Sequence, residues 1–488
     1  MARVLCLLAL LSLPWTSQAQ TTAPEAIVNR ALKTWKVPGA AVIVVRDGKV
    51  LLARGFGVKE AGKDEAVTGN TLFGIGSCTK AITATAVGLL VDDGKMSWDD
   101  PVRKHLDWFR LADPLADREV TLRDLLAHRT GLGRNDLLWY RAPWSLEQTV
   151  RRMAHLPQAR SFRDGFVYNN LAYIAAGLAV TSAAGEPWER FVQKRLFEPL
   201  GMKRAVFTRS DAHKSGDWAA AHVLRAGKVE VIPWYNDDHQ VRGSGSVKAS
   251  AGDLSRWLLF QLNGGVVDGR RLISATSLRE THTPQMVVPV PEATARQTGT
   301  TQMSYGLGWM IRDYRGHLLL QHGGAVDGFR AAIYLAPRDQ LGIAVLSNLG
   351  GGPFTETLPL QLLDHYLGLE KKDWDTLFRK REEQAETAAR ARKKAFNDRR
   401  QTGTKPSRDL DAYAGTYRHP AYGELKITRD RDTLRAVWSG FRGTLRHYHF
   451  DTFVFEGEDR LEDETLLFSL TKEGTPNRVV FLGQEFRR

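Results

Sequence analysis

The sequence predicts an α/β (α+β) chain in which an antiparallel sheet is flanked by helices, followed by a small antiparallel β-barrel. Helical and strand signals alternate over residues 24–368. Three strand-like runs near the end of that stretch are joined by short connections, which makes them antiparallel neighbours. Residues 406–488 carry six short strand-like runs, most of them separated by turn residues, the pattern of a small barrel or sandwich.

In chain order, the first twenty residues are MARVLCLLALLSLPWTSQAQ. Arg3 is a minimal positive region, Val4 to Leu13 is apolar but too short to span a bilayer, Pro14 breaks the run, and Ser17 and Ala19 place small residues at a cleavage site. Residues 1–19 read as a secretory signal peptide cleaved after Ala19, with a buried N-terminal helix as the other reading. Export is expected, to a periplasm rather than the medium, and no later stretch is long and apolar enough to cross a membrane. Ala40 to Val45 is a β-branched run, Arg46-Asp47-Gly48-Lys49 a hairpin turn and Val50 to Gly55 the returning strand. Lys80 to Val91 is an Ala-rich helix stopped at Asp92-Asp93-Gly94. Leu171 to Ala183 is a second Ala-rich helix. Glu189 to Leu200 is an amphipathic helix stopped by Gly201, and Asp253 to Asn263 a helix stopped by Gly264-Gly265. The three late strands are His317 to Gln321, Phe329 to Leu335 and Leu341 to Ser347, with Ala336 to Gln340 as a turn. Thr355 to Leu367 closes the region as a helix. Residues 371–400 hold 11 Lys/Arg against 6 Asp/Glu and no Gly, which suits a solvated or linking helix. The last six strands are Glu424–Arg429, Leu434–Ser439, Thr444–Phe450, Thr452–Glu456, Thr465–Thr471 and Val479–Leu482. The expected organisation is therefore 1–19, 20–368, 369–405 and 406–488.

A chain of 488 residues with 43% hydrophobic and 25% charged residues is neither disordered nor fibrous. Its only cysteines are Cys6, which leaves with the signal peptide, and Cys78. A disulfide framework and a cysteine-based metal site are excluded. There is no H-E-x-x-H, and neither a metal nor a cofactor is expected. The net charge of +13 favours anionic surfaces in general and specifies no partner.

Three segments carry candidate chemistry. Ser77-Cys78-Thr79-Lys80 is S-x-x-K at a helix start, where positions i and i+3 share a face. The Lys80 amine can then sit beside the Ser77 hydroxyl, and the helix N-terminus favours an oxyanion there. A serine hydroxyl needs such a base, and lysine serves when burial or nearby cations lower its pKa. Alone, the pattern also fits a capping serine followed by an exposed lysine. Tyr168-Asn169-Asn170 offers a phenol for proton relay and an amide for the lysine and a substrate carbonyl; a core tyrosine beside a helix cap fits equally. Gln321-His322-Gly323-Gly324-Ala325 ends a strand, where two glycines admit a substrate backbone and a following N–H can complete an oxyanion hole with that of Ser77; a glycine bulge fits as well.

Together, in this order and spacing, these segments resemble the serine β-lactamase and penicillin-binding protein superfamily. The closer likeness is to its β-lactamase-related branch, with class C enzymes, D-aminopeptidases, D-Ala-D-Ala carboxypeptidases and family VIII esterases. Leu122 to Leu132 resembles the branch's L-x-x-L-L-x-H-x-x-G-L segment, Pro199-Leu200-Gly201-Met202 its P-L-G-M helix end, and Tyr305-Gly306-Leu307-Gly308-Trp309 its Y-G-x-G-W strand. The likeness covers residues 24–368 and implies a β-lactamase/transpeptidase-like fold with an all-helical lobe. It implies Ser77 as the acylated nucleophile, Lys80 as its base, Tyr168 sharing proton transfer and protonating the leaving group, and Asn170 orienting Lys80 and the acyl amide. His322 stands where a K-T-G lysine would, Gly323 and Gly324 follow, and Ala325 supplies the second oxyanion N–H beside that of Ser77. A histidine is only partly charged near neutral pH, which favours a peptidase or esterase over an efficient β-lactamase. Tyr413 to Tyr417 looks like the start of the lipocalin-like domain appended to some relatives, which implies a cap on the cleft or a homo-oligomer contact.

Gly57 to Asp64 nearly matches a P-loop, but Asp64 replaces the hydroxyl residue and would repel phosphate. His447 and His449 share a strand face with no third ligand. The expected partner is a small peptide, amide or ester, not nucleic acid. The alternative is a catalytically weak penicillin-binding-like envelope protein that binds muropeptides or a partner.

Overall fold

The computed structural model describes residues 23–234 and 241–488; the expected signal peptide lies outside the described residues. Helix α1 (Ala23–Trp35) leads into the hairpin β1 (Gly39–Arg46) and β2 (Lys49–Gly57). β1 is apolar throughout because both of its faces are covered. Ala41, Ile43 and Val45 enter one core, and Ala40, Val42 and Val44 the other, as strand alternation requires.

Helices α2 (Thr79–Asp92), α3 (Leu122–Leu126) and α4 (Asn170–Ala184) form the helical lobe with shorter segments around them. α2 is buried from Thr79 to Leu90, so its Ala-rich composition lets neighbours approach on every side. The amphipathic run after it is less regular than its sequence suggests. Trp188–Val192 is α-helical, Gln193–Phe197 widens to a π turn, and Glu198–Leu200 closes at Gly201 with φ of 73°. Pro199 has no N–H to give back to the helix, which explains the wider turn.

Helix α5 (Ala251–Leu262) covers the lobe-side face of the sheet. The remaining strands are β3 (Met286–Val287), β4 (Met303–Tyr305), β5 (Met310–Tyr314), β6 (His317–Val326), β7 (Phe329–Ala336) and β8 (Leu341–Ser347), with α6 (Glu292–Thr298) between β3 and β4. All eight pair antiparallel in the order β2-β1-β8-β7-β6-β5-β4-β3. β6 runs five residues beyond the expected end at Gln321, through both glycines to Val326. β5 pairs only with His317 to Gln321, so β5 leaves the rest of that side of β6 uncovered.

Helix α7 (Phe354–Tyr366) packs with α1 on the opposite face of the sheet. The charged stretch forms helix α8 (Trp374–Asp398). It is anchored at both ends: Trp374 Nε1 donates to Asp364 at 2.7 Å, Trp35 Nε1 donates to Asp375 at 2.7 Å and Phe378 is buried, while near its end Lys393 pairs with Asp463 at 2.6 Å and Phe396 stacks on Tyr448 with ring centroids 4.8 Å apart. The rest of α8 is largely solvated.

The C-terminal strands form a closed eight-stranded antiparallel barrel: β9 (Gly415–His419), β10 (Gly423–Asp430), β11 (Thr433–Trp438), β12 (Phe441–His449), β13 (Thr452–Glu456), β14 (Thr465–Leu470), β15 (Pro476–Phe481) and β16 (Gln484–Arg487). The six expected runs are all strands. β9 and β16 are additional, and they close the barrel by pairing Arg418 with Arg487. The barrel docks on the lobe through Arg141, which bonds Glu458 at 2.8 Å and the Gly440 carbonyl at 2.7 Å, and through Tyr422, whose hydroxyl donates to Asn135 at 2.9 Å. Arg460, between β13 and β14, reaches Asp327 at 2.9 Å.

Candidate active site

Ser77 sits in a single 3-10 turn, Gly76–Cys78, that feeds α2. This turn is pressed against β6, and glycine makes the approach possible. A Cβ on Gly76, whose φ is +49°, would lie 2.6 Å from the Ala325 nitrogen, and one on Gly324 would lie 1.9 Å from the Ile75 carbonyl oxygen. Ser77 and Ala325 therefore face the same cavity, of about 800 Å³, which Tyr168, Asn170, His322, Gly323 and Gly324 also line.

Lys80 is fully buried, and its Nζ lies 3.1 Å from Ser77 Oγ, 2.7 Å from Asn170 Oδ1 and 2.9 Å from the Ser244 carbonyl. Burial lowers its pKa to about 7; Asp136 pulls it up and Arg134 pushes it down. A neutral amine has two protons and one lone pair. The Asn170 and Ser244 oxygens can only accept, so they take both protons, and the lone pair is left for the Ser77 hydroxyl. The Ser77 hydroxyl acts electrostatically on Tyr168, and burial raises the Tyr168 pKa, so it remains a phenol. With the serine proton directed at Lys80, the Tyr168 phenol is the protonated group left in the cavity beside Ser77. The Lys80 nitrogen also lies 4.8 Å from the Tyr168 ring centroid and 5.3 Å from that of Tyr173.

Asn169, not Asn170, caps α4, accepting from the Ala172 N–H at 3.0 Å. Asn170 is thereby free for Lys80, but its Nδ2 is taken by Asp136 at 2.8 Å. Asp136 in turn receives Trp139 Nε1 and Arg134 Nε, each at 2.9 Å. The amide expected to hold both lysine and substrate is thus oriented for the lysine and tied back to a carboxylate.

His322 also departs from expectation. Its Nδ1 lies 2.7 Å from the Gly323 carbonyl and its Nε2 2.9 Å from the Tyr305 hydroxyl. The carbonyl can only accept, so Nδ1 carries the proton and Nε2 accepts from Tyr305. Burial and the nearby Lys80 lower its pKa to about 3. It is a neutral ring locked to the strand, not a partial cation. Cys78 is buried, donates to the His322 carbonyl at 3.3 Å, and burial pushes its thiol up to about 12, so it is an unreactive packing residue.

Sequence reasoning missed the supporting ring of groups. His128 adopts a left-handed φ of 57° just after α3 and packs its ring, tilted, with its centroid 4.4 Å from that of Tyr168 and 4.8 Å from that of Tyr305. Its Nδ1 accepts from the Asn169 N–H at 3.1 Å, and burial holds it neutral. Asp124 fixes that segment, capping α3 with Thr121 and pairing with Arg129 at 2.5 Å and Arg163 at 2.7 Å. The His128 and Tyr305 motifs were visible in the sequence; Asp136, Arg134 and the Ser244 carbonyl carried no signal. The near-P-loop is a loop after β2, and His447 spends its Nε2 on the Phe450 carbonyl at 2.8 Å. Among the described residues no cluster of three or more His, Cys, Asp or Glu is placed to hold a metal, and no helix is long and apolar enough to cross a membrane.

A sheet covered by helices on both faces, with a serine, a lysine and a tyrosine meeting at the edge of one strand, defines a serine-hydrolase-like protein of the penicillin-binding type. The beta-lactamase family profile matches residues 25–367, and the chain belongs to that family. Residues 399–487 match a domain of unknown function, DUF3471. The chain is 29% identical over 451 residues to Unguisins hydrolase ungD of Aspergillus violaceofuscus, covering 83% of this chain and 76% of that protein. It is 25% identical over 354 residues to Protein flp of Staphylococcus aureus, covering 70% and 66%. The octameric penicillin-binding protein homologue from Pyrococcus abyssi superposes with a TM-score of 0.64 at 22% identity, over 95% of this chain and 99% of that one. The D-amino acid amidase from Ochrobactrum anthropi SV3 superposes with a TM-score of 0.57 at 20% identity, over 71% and 97%.

Proposed function

We propose that this chain is an exported serine hydrolase that cleaves an amide, peptide or ester bond through an acyl-enzyme on Ser77. The observation that carries the reading is Lys80 Nζ placed 3.1 Å from Ser77 Oγ with its other two contacts on the Asn170 and Ser244 oxygens, an arrangement that leaves the lone pair of the neutral amine for Ser77. In the acylation step the Ser77 proton passes to Lys80 as Oγ bonds the substrate carbonyl carbon, and the Ser77 and Ala325 N–H groups receive the oxyanion. The bond to the leaving group then breaks, Tyr168 gives that group its proton, and Lys80 returns a proton to Tyr168. Water repeats the sequence to release the acid. Neutral His322 offers no charge to a substrate carboxylate, which supports a peptidase or esterase over an efficient β-lactamase. The hydrolase named among the relatives supports a hydrolytic reaction. Export rests on residues 1–19 alone.

A fluorophosphonate probe should label the secreted chain, beginning at residue 20, on Ser77, and Ser77→Ala should abolish labelling. In a panel of p-nitrophenyl acetate, D-Ala-p-nitroanilide, a D-Ala-D-Ala peptide and nitrocefin, nitrocefin should have the lowest kcat/KM. A chain that neither labels nor turns over any ester is a binding protein, and the proposal fails.

A further inference from the structure

The cavity does not end at Ser77. It continues around the uncovered side of β6 to the opposite face of the sheet, where Arg312, Gln321, Tyr334, Glu356, Phe378 and Arg381 line it. This rear chamber is bounded by β5, β6 and β7 and by the first turns of α7 and α8.

Arg312 is the anomaly there. It is only 7% exposed, and its guanidinium makes no ion pair or side-chain hydrogen bond among the described residues. The Tyr314 ring, with its centroid 5.8 Å away, is its neighbour. Glu356 acts electrostatically with Arg381 and Arg330, not with Arg312. A buried guanidinium without a carboxylate is costly, since a buried charge is ordinarily paired. Gln321 adds a second orphan, a buried Oε1 with no donor. The register sets Arg312 opposite Leu319 and Met310 opposite Gln321, so Arg312 and Gln321 stand on the same face, yet the two orphans do not satisfy each other.

A ligand that satisfies both must accept from Arg312 and donate to Gln321. A free peptide C-terminus does this, with its carboxylate on the guanidinium and an amide N–H on the Gln321 oxygen. We propose that the rear chamber is a subsite for the free α-carboxylate of an oligopeptide whose chain runs along β6 from Ser77. This rests on the Ser77 reading for the position of the scissile bond. Gln321 and Leu319 lie four and six residues from Ala325 in the sequence of β6. At the rise of an extended strand those separations are about 13 and 20 Å. The subsite therefore selects peptides that extend four or more residues beyond the cleaved bond, and dipeptides do not reach it.

The test uses N-acetyl oligo-alanines of two to seven residues, in the D and the L series, each with a free C-terminal carboxylate or a carboxamide. Titration calorimetry on the full-length Ser77→Ala variant measures binding without turnover. The carboxylate should be favoured by tenfold or more for the longest peptides of one series and not at all for the dipeptide. Arg312→Gln should erase that preference, Gln321→Leu should weaken it, and Arg312→Lys, the variant for use if the glutamine fails to fold, should retain part of it. Equal binding of the two ends at every length, or a preference that survives Arg312→Gln, overturns the subsite. The two readings separate cleanly. Fluorophosphonate labelling without a charge preference removes the subsite and keeps the serine hydrolase; a charge preference without labelling does the reverse.

Discussion

On the proposed reading a single nitrogen carries the reactivity of this site. Lys80 must be neutral to accept the Ser77 proton, and its pKa is lowered to about 7 by burial. Activity therefore appears as pH rises through that value. In a pH–rate profile with p-nitrophenyl acetate, kcat/KM should climb through about pH 7, and Lys80→Ala should lower it by on the order of 10²–10⁴-fold. The neighbours then move the ascending limb in opposite directions. Asp136 favours the ammonium, so Asp136→Asn shifts the limb to lower pH; Arg134 opposes it, so Arg134→Gln shifts it to higher pH. Limbs that move together, or not at all, would show that the titrating group is not Lys80. The residues that converge on this cavity were readable from S-x-x-K, Y-x-N and the His322 segment because short spacing on a helix or strand encodes them. The groups that tune Lys80 were not, because Asp136 and the Ser244 carbonyl arrive from loops whose paths no local pattern records.

Helices and strands were legible wherever a face is buried. The stretch from Ala40 to Val45 and the Ala-rich helices appeared with nearly their true bounds because burial sets their composition. β16 was not legible, since Gln484–Arg487 is short and half charged and is held in place by its partners. The end of β6 was set too early for a related reason: glycines read as a stop, whereas here they let the strand pass the turn that bears Ser77. Two adjacent substitutions test that contact. A Cβ on Gly323 meets nothing nearer than the Ala331 carbonyl oxygen at 4.0 Å, while one on Gly324 falls 1.9 Å from the backbone of Ile75. Gly323→Ala should keep the melting temperature and the probe labelling. Gly324→Ala should cost about 1–3 kcal/mol of stability and lose labelling, because backbone cannot yield as a side-chain tip does. Similar behaviour of the two variants in a thermal melt would refute the role of this approach.

For the molecule as a whole, buried neutral histidines set the response to acid. His128, His282 and His322 are all held below the ordinary value by burial, His282 to about 4 and His322 to about 3. The unfolded chain takes up protons at these positions near pH 6.5 and the native chain does not. The stability they confer is thus complete above pH 6.5 and is lost as pH falls toward 3–4. Each contributes up to about 1.4 kcal/mol per pH unit in that window. Urea titrations from pH 7 to pH 4 should show a falling midpoint, and His282→Gln, which does not line the Ser77 cavity, should flatten the slope; an unchanged slope would assign acid sensitivity elsewhere. The C-terminal barrel has a different consequence at this scale. Its last strand returns to its first, so it has no unpaired margin to lend to another molecule. Copies that meet through it must recognise one another by side-chain relief and charge alone. Among the described residues the larger sheet does keep open rims, and there Lys49 and Arg54 on β2 disfavour a flat, adhesive ribbon.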